Sequence, residues 1–394
     1  MDLDNRPTSG PTGPGALGGG LDGVAAPTAV IDLGVLLANA REMRERAGRL
    51  PIRLASKSIR VRGLIERLLG EDGYAGVLAY SAAEARWLVG HGVNNVVVAY
   101  PTVDRATLRA ISADERLASE VAFMVDLPEH VQLVSECAVD HPLRVAIDVD
   151  CSLRVGPVAI GAHRSSVHRP ADAERIAALV TSTAGVRLAG VMFYDAQIAG
   201  VPDSSAAVRL MKKASLRELA HRRSRVLAAV TRHASLDFVN AGGTGSLHLL
   251  RDEPGLTDLA AGSGLFTPTL FDQYDGAHLH PAAYFVSPVV RKPSDDVVVT
   301  YSGGYVASGP PGESRVPHVA FPAGLRTFGQ EGTGEVQTPL RGNAARALRV
   351  GDLVWFRHAK AGEMCERFDE VVLLEQGRVA GRLPTYRGEG QNFG

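Results

Sequence analysis

Cysteine is scarce in this chain: Cys137, Cys151 and Cys365 are widely spaced and odd in number. That pattern excludes a disulfide framework and a CxxC zinc site, and it points to a reducing compartment, the cytoplasm. An excess of one charge is also missing, since 42 Lys and Arg nearly cancel 43 Asp and Glu. Without a basic field, nucleic acid is not an expected partner. No apolar run approaches the roughly 20 residues that a membrane helix needs, so no membrane partner is expected either. The glycine- and proline-rich segment 1–27 has neither a basic n-region nor an apolar h-region. It reads as a disordered tail rather than a signal peptide.

What is present is a long alternation of short apolar runs and amphipathic ones, the pattern of βα units around a parallel sheet. Strand candidates are Arg53–Ser56, Gly76–Tyr80, Asn95–Tyr100, Ala122–Val125, Arg144–Asp150, Leu188–Tyr194, Phe238–Ala241 and Leu259–Gly262. Eight such strands predict an α/β fold with a closed (β/α)8 TIM-like barrel over 28–275; an open doubly wound sheet is the alternative. Beyond about residue 275 helical periodicity fades and short β-rich pieces appear: Ala283–Val286, Asp296–Tyr301, Val316–Ala320, Asp352–Phe356 and Glu370–Glu375. They predict a smaller all-β domain over 276–394, to which the early strand Ala29–Leu33 is a candidate addition.

In a barrel the residues just after each strand share one rim. Lys57 follows the first barrel strand, where an amine can form a Schiff base. Two glycine-rich turns follow the last two strands, Gly242-Gly243-Thr244-Gly245-Ser246 and Gly262-Ser263-Gly264. Barrels commonly bind phosphate at that position. An aldehyde-reactive amine beside a phosphate site is what pyridoxal phosphate requires. Arg154 follows the acidic strand end Asp148-Val149-Asp150. It either donates to the cofactor or a substrate carboxylate or balances those aspartates, and spacing leaves both readings open.

These segments, taken in order with Thr28-Ala29-Val30-Ile31-Asp32-Leu33 and Gly190-Val191-Met192-Phe193-Tyr194-Asp195, resemble the fold-type III pyridoxal phosphate enzymes. The likeness is to the D-threonine aldolase and D-serine dehydratase-like branch, related to the alanine racemase amino-terminal domain, and it spans about residues 28 to 375. It implies pyridoxal phosphate on Lys57, phosphate contacts from Gly242, Gly243, Thr244, Gly262 and Ser263, Arg154 near the phenolate oxygen, Tyr194 and position 197 beside the cofactor, and a homodimer. Two positions depart from the branch. Gln197 stands where the branch carries a histidine. The branch also binds a divalent metal through His-x-Cys or His-x-Asp; here His358 matches, but Lys360 takes the second position, and an ammonium cannot ligate a cation. Either Glu363 or Cys365 supplies the second ligand, or Lys360 replaces the metal's charge, or His358 is structural.

The resemblance implies a lyase acting on β-hydroxy D-amino acids, by aldol cleavage or by dehydration and deamination, after the substrate amine displaces Lys57. His358 is then the candidate base at the β-hydroxyl. The alternatives are an amino-acid racemase, with Tyr301 or Tyr305 from the β-domain of a partner subunit as second base, and a non-catalytic pyridoxal phosphate carrier.

Overall fold

The computed structural model describes residues 18–203, 205–274 and 278–394. The first strand, β1 (Thr28–Asp32), is buried throughout, and Asp32 accepts a 3.0 Å hydrogen bond from the Val35 amide to cap the helix Leu33–Ala47. Five parallel strands follow: β2 (Ile52–Ala55), β3 (Tyr74–Ala79), β4 (Val96–Val98), β5 (Val121–Val125) and β6 (Leu143–Asp148). A small hairpin, β7 (Leu153–Val155) and β8 (Val158–Ile160), interrupts the series. It resumes with β9 (Val186–Phe193), β10 (Phe238–Ala241) and β11 (Asp258–Ala261), and pairing of β11 with β2 closes the expected eight-stranded barrel.

Alternation along these strands sends one set of side chains inward and the other toward the helices. Leu54, Val77, Phe123, Val145 and Val191 belong to the large outer core, while Val97, Met124, Ala146, Met192 and Phe238 form a separate cluster that fills the barrel. At one level the filling is polar. Arg53, 1% exposed, donates to Asp258 Oδ1 at 3.1 Å and to the Asn95 carbonyl at 2.7 Å, while Asn240 donates to the same carboxylate. A charge so buried persists only because every neighbour pairs with it; removing one partner would cost about 3–5 kcal/mol.

The second region is a nine-stranded sheet containing β12 (Ala283–Ser294), β13 (Val297–Tyr301), β14 (His318–Phe321), β15 (Arg326–Thr327), β16 (Gln337–Arg341), β17 (Leu353–Arg357), β18 (Glu370–Glu375) and β19 (Arg378–Pro384). Its ninth strand is β1, antiparallel to β12 through Val30↔Tyr284 and parallel to β18 through Val30↔Val372. β19 matches none of the expected pieces. It is an edge strand rich in Arg and Gly whose outer face stays in water, so no apolar run marks it.

The expected tail needs correction where it is described. Gly18–Leu21 makes one 3-10 turn, and Leu21, 3% exposed, packs with Val30, Tyr284 and Trp355. Residues 1–17 of that tail, and the boundary expected at 275/276, lie outside the described residues. At the other end Tyr386 stacks edge-on against Trp87 and donates to Glu84, joining the chain's last segment to the barrel helix Ala82–Gly90. Among the described residues no helix is long and apolar enough to cross a membrane.

Candidate active site

A cavity of about 1170 Å³ opens at the carboxyl ends of the barrel strands and is walled on its other side by segments of the nine-stranded sheet region. Lys57 enters it from the short turn Ser56–Ser58 directly after β2, and its Nζ donates to the Tyr100 hydroxyl at 2.9 Å. Tyr194, after β9, lines the same cavity; burial raises its phenol above the usual range, with the Lys57 charge pulling the other way. Gly262, after β11, closes the wall beside the lysine. A Cβ there would lie 2.6 Å from the Ala55 carbonyl oxygen, so only glycine lets the two strand ends approach this closely.

Gly242, Gly243, Thr244, Gly262 and Ser263 all line the cavity, at the ends of neighbouring strands β10 and β11. The Thr244 and Ser263 hydroxyls lie 3.3 Å apart, and Thr244 Oγ1 also accepts from the Gly264 amide at 3.2 Å. The turn is braced from behind. Ser246 Oγ accepts from the Gly243 amide at 3.1 Å and donates to Asp195 Oδ1 at 3.2 Å. Asp195 is 1% exposed, and burial pushes its carboxyl up to about 7 against the pull of Ser246. Small residues, paired hydroxyls and an amine in one cavity fit pyridoxal phosphate: the two turns would hold its phosphate and Lys57 its aldehyde carbon.

Two expected cofactor contacts are placed elsewhere. Arg154 does not line the cavity; on the hairpin strand β7 it pairs with Asp150 Oδ2 at 2.8 Å, the balancing role that spacing had left open. Asp150 is held below the ordinary carboxylate range: burial opposes ionisation, but bonds from the Ser152 amide and hydroxyl and from Arg154 outweigh it. Arg222 organises the segment from the long helix Ala206–Val230, donating to the carbonyls of Asp150 at 2.6 Å and Ser152 at 3.1 Å. Gln197, 2% exposed, turns its amide to the Cys151 carbonyl at 2.7 Å and is also absent from the cavity wall. That carbonyl takes the Nε2 donor, while Oε1 is left buried without a hydrogen bond.

His358 follows β17 and lines not the main cavity but a smaller one of about 230 Å³ beside it. The ring is 3% exposed, and neither nitrogen has a well-formed hydrogen bond. Burial pushes its pKa down to about 3, aided by the Arg357 charge and opposed weakly by the Ala283 backbone, so the imidazole is neutral at ordinary pH. Its expected role as base at the substrate hydroxyl is therefore corrected: it neither faces the Lys57 cavity nor holds a proton easily. Lys360 and Glu363 line both cavities. Cys365 lines neither; it is 1% exposed, and burial pushes its thiol up to about 12. Tyr305 faces the smaller cavity, packed against Phe285 and Phe368, and Tyr301 is 46% exposed at the end of β13.

Residues 31–251, more than half of the chain, match the family model described as alanine racemase, N-terminal domain. The chain belongs to that family. Membership in the alanine racemase N-terminal domain family implies pyridoxal phosphate, which the cavity fits, and supports an enzyme. Among solved structures the chain is similar to D-threonine aldolase from Filomicrobium marinum (TM-score 0.79, 22% identity, covering 93% of this chain and 96% of that one). It is also similar to D-threo-3-hydroxyaspartate dehydratase from Delftia sp. HT23 (TM-score 0.72, 16% identity, 93% and 98% covered). The alanine racemase of Corynebacterium glutamicum matches at TM-score 0.57 and 17% identity over 83% of this chain and 88% of that one. At these identities the likeness speaks to the fold. Among curated proteins none matches at a significant level.

In this member of the alanine racemase N-terminal domain family the expected divalent-metal residues do not fit a metal. His358 alone offers a buried, unpartnered donor. Lys360 at the second position donates to Ser308 Oγ at 2.6 Å and pairs with Glu363 Oε1 at 3.2 Å, while Glu363 also accepts from the Ser308 amide at 2.8 Å. Among the described residues no group of three or more His, Cys, Asp or Glu is arranged to hold a metal. Sequence reasoning missed Tyr100, hidden as the last residue of an expected strand that ends at Val98, and Arg315, which lines the cavity from a segment with no periodic signal.

Proposed function

We propose that this protein is a pyridoxal phosphate-dependent lyase acting on β-hydroxy D-amino acids. One observation carries the reading: Lys57 and the two phosphate-type turns share a cavity whose opposite wall presents Lys360, Glu363 and Arg315. Bound pyridoxal phosphate would supply the electron sink for charge developing at Cα. Lys57, with Tyr100 fixing its position, would move the proton at Cα: it would deliver one after aldol cleavage breaks Cα–Cβ, or remove it as the β-hydroxyl leaves in dehydration. Arg315 has no carboxylate partner among the described residues, and its Nε is buried without a hydrogen bond. We assign it to the substrate carboxylate, where a guanidinium fork gives a directional grip. The Lys360–Glu363 pair faces the β-substituent. Glu363 stays ionised there, because bonds from Ser308 and the Lys360 charge outweigh the burial that would protonate it. A carboxylate can accept the hydroxyl proton during aldol cleavage, and an ammonium can stabilise a departing or developing oxyanion.

The solved neighbours named for D-threonine aldolase and D-threo-3-hydroxyaspartate dehydratase support this substrate class. A racemase needs a second base facing Lys57, which on that alternative comes from the β-domain of a partner subunit; within one chain neither Tyr301 nor Tyr305 lines the Lys57 cavity, so the substrate panel decides between the two readings. By the same family likeness we propose a homodimer as the working unit. The test is a panel of D-threonine, D-serine and D-threo-3-hydroxyaspartate, read for glycine with aldehyde and for keto acid with ammonia. Either product pair is the expected result. Racemisation of alanine without cleavage or elimination overturns the lyase, and absence of both turnover and Cα deuterium exchange favours a carrier.

A further inference from the structure

Resting on the lyase reading above, we infer that the Lys360 ammonium stands where a divalent cation would sit, so that this chain acts on a β-hydroxyl without a metal. The loop that carries it is fixed against the catalytic lysine. Gly362 adopts φ +76, and a Cβ there would lie 2.0 Å from the Lys57 carbonyl oxygen. The segment 358–363 is thus seated on the same turn that supplies the Schiff-base amine. Of the three ammonium protons, one is donated to Ser308 Oγ and one faces Glu363 Oε1, and the Ser308 hydroxyl in turn donates a hydrogen bond to Glu363 Oε1. The third is left for the cavity, which Lys360 lines.

The same network denies a metal its ligands. The ammonium has no lone pair, and a like charge beside His358 repels a dication. Glu363, the nearest carboxylate, has both oxygens engaged by Ser308 and Lys360. His358 is left as a single donor, and one imidazole does not build the four-coordinate sphere of zinc. Lys360 supplies a hydrogen bond and a positive charge at the substrate oxygen; no bond to it forms or breaks.

The test is metal content, read on purified holoenzyme after equilibration with zinc or manganese and dialysis, in the wild type, K360C, K360D and each with H358A added. The wild type is expected to retain less than about a tenth of an ion per chain, and K360C or K360D about one, because a thiolate or carboxylate beside His358 restores a ligand pair and releases Glu363. Addition of H358A should abolish that gain. A wild type that holds about one ion per chain and loses it in H358A overturns the inference. So does failure of both folded Lys360 variants to gain metal, since Lys360 would then not stand at a ligand position. Circular dichroism confirms folding in each variant. Because the readout needs no turnover, it stays separate from the fate of the lyase reading, which fails on the substrate panel instead.

Discussion

The barrel wall of the cavity and the wall facing it are built from different materials. On the barrel side backbone and small residues, Gly242, Gly243, Thr244, Gly262 and Ser263 at the ends of paired strands, line the cavity with Lys57 and the phenols of Tyr100 and Tyr194. On the opposite side long charged side chains held by one another stand among apolar residues such as Leu270, Phe271 and Val319. Lys360 pairs with Glu363, and Arg357 grips Asp272 through two bonds at 2.6 and 2.9 Å. A backbone cradle hung on a closed sheet has one shape, suited to a fixed anion such as a phosphate. A network of exchangeable charges can be rewired by a single substitution without moving a strand. The first wall therefore suits the part of the chemistry that stays constant, and the second the part that selects a reaction.

The sharpest break in that comparison is Lys57→Ala. Losing the barrel amine should remove the visible absorbance of a lysine-bound cofactor and lower kcat by about a thousandfold or more. A band that survives unchanged would sink the cofactor assignment. Lys360→Ala tests the other wall: the absorbance band should persist while kcat for β-hydroxy substrates falls about a hundredfold, as on loss of one preorganised oxyanion donor. An equal loss of band and activity would erase the distinction between the walls.

The smallest expected effect lies at the joint between the two regions. Glu84 accepts from the Tyr80 amide at 2.7 Å and from the Tyr386 hydroxyl at 2.8 Å, and burial raises its pKa to about 7, those bonds only partly opposing. The folded state keeps a proton that the unfolded chain releases near 4.5, so stability is full below that pH and falls as pH rises toward 7. Melting temperature measured across this window should decline by a few degrees from this group. Glu84→Gln should flatten the slope in part, since Asp195, also raised to about 7, keeps acting. An unchanged slope in the variant removes Glu84 from the account.

The barrel was readable because its signals are local. Each strand is a short apolar run, each rim residue comes next in the chain, and a glycine turn needs no distant partner to be recognised. Competition for hydrogen bonds was not readable. For Arg154 the sequence showed the rival carboxylate four residues away but not which partner wins, and Gln197 met a carbonyl 46 residues distant that only folding brings near. For His358 the sequence supplied an imidazole but not its burial, and burial turns a candidate base into a neutral ring. Lys360 was visible as a departure from the metal pattern; its partner Ser308, from a segment 52 residues earlier, was not.

β1 has a further consequence, for the order of events during synthesis. Residues 28–32 are made before the whole barrel, yet both neighbours of that strand come from residues 283–286 and 371–374. The strand has neither of its sheet partners while the barrel is translated, and this part of the sheet can knit only once the chain through residue 374 is available. A fragment starting at residue 283 would lack the strand that joins β12 to β18.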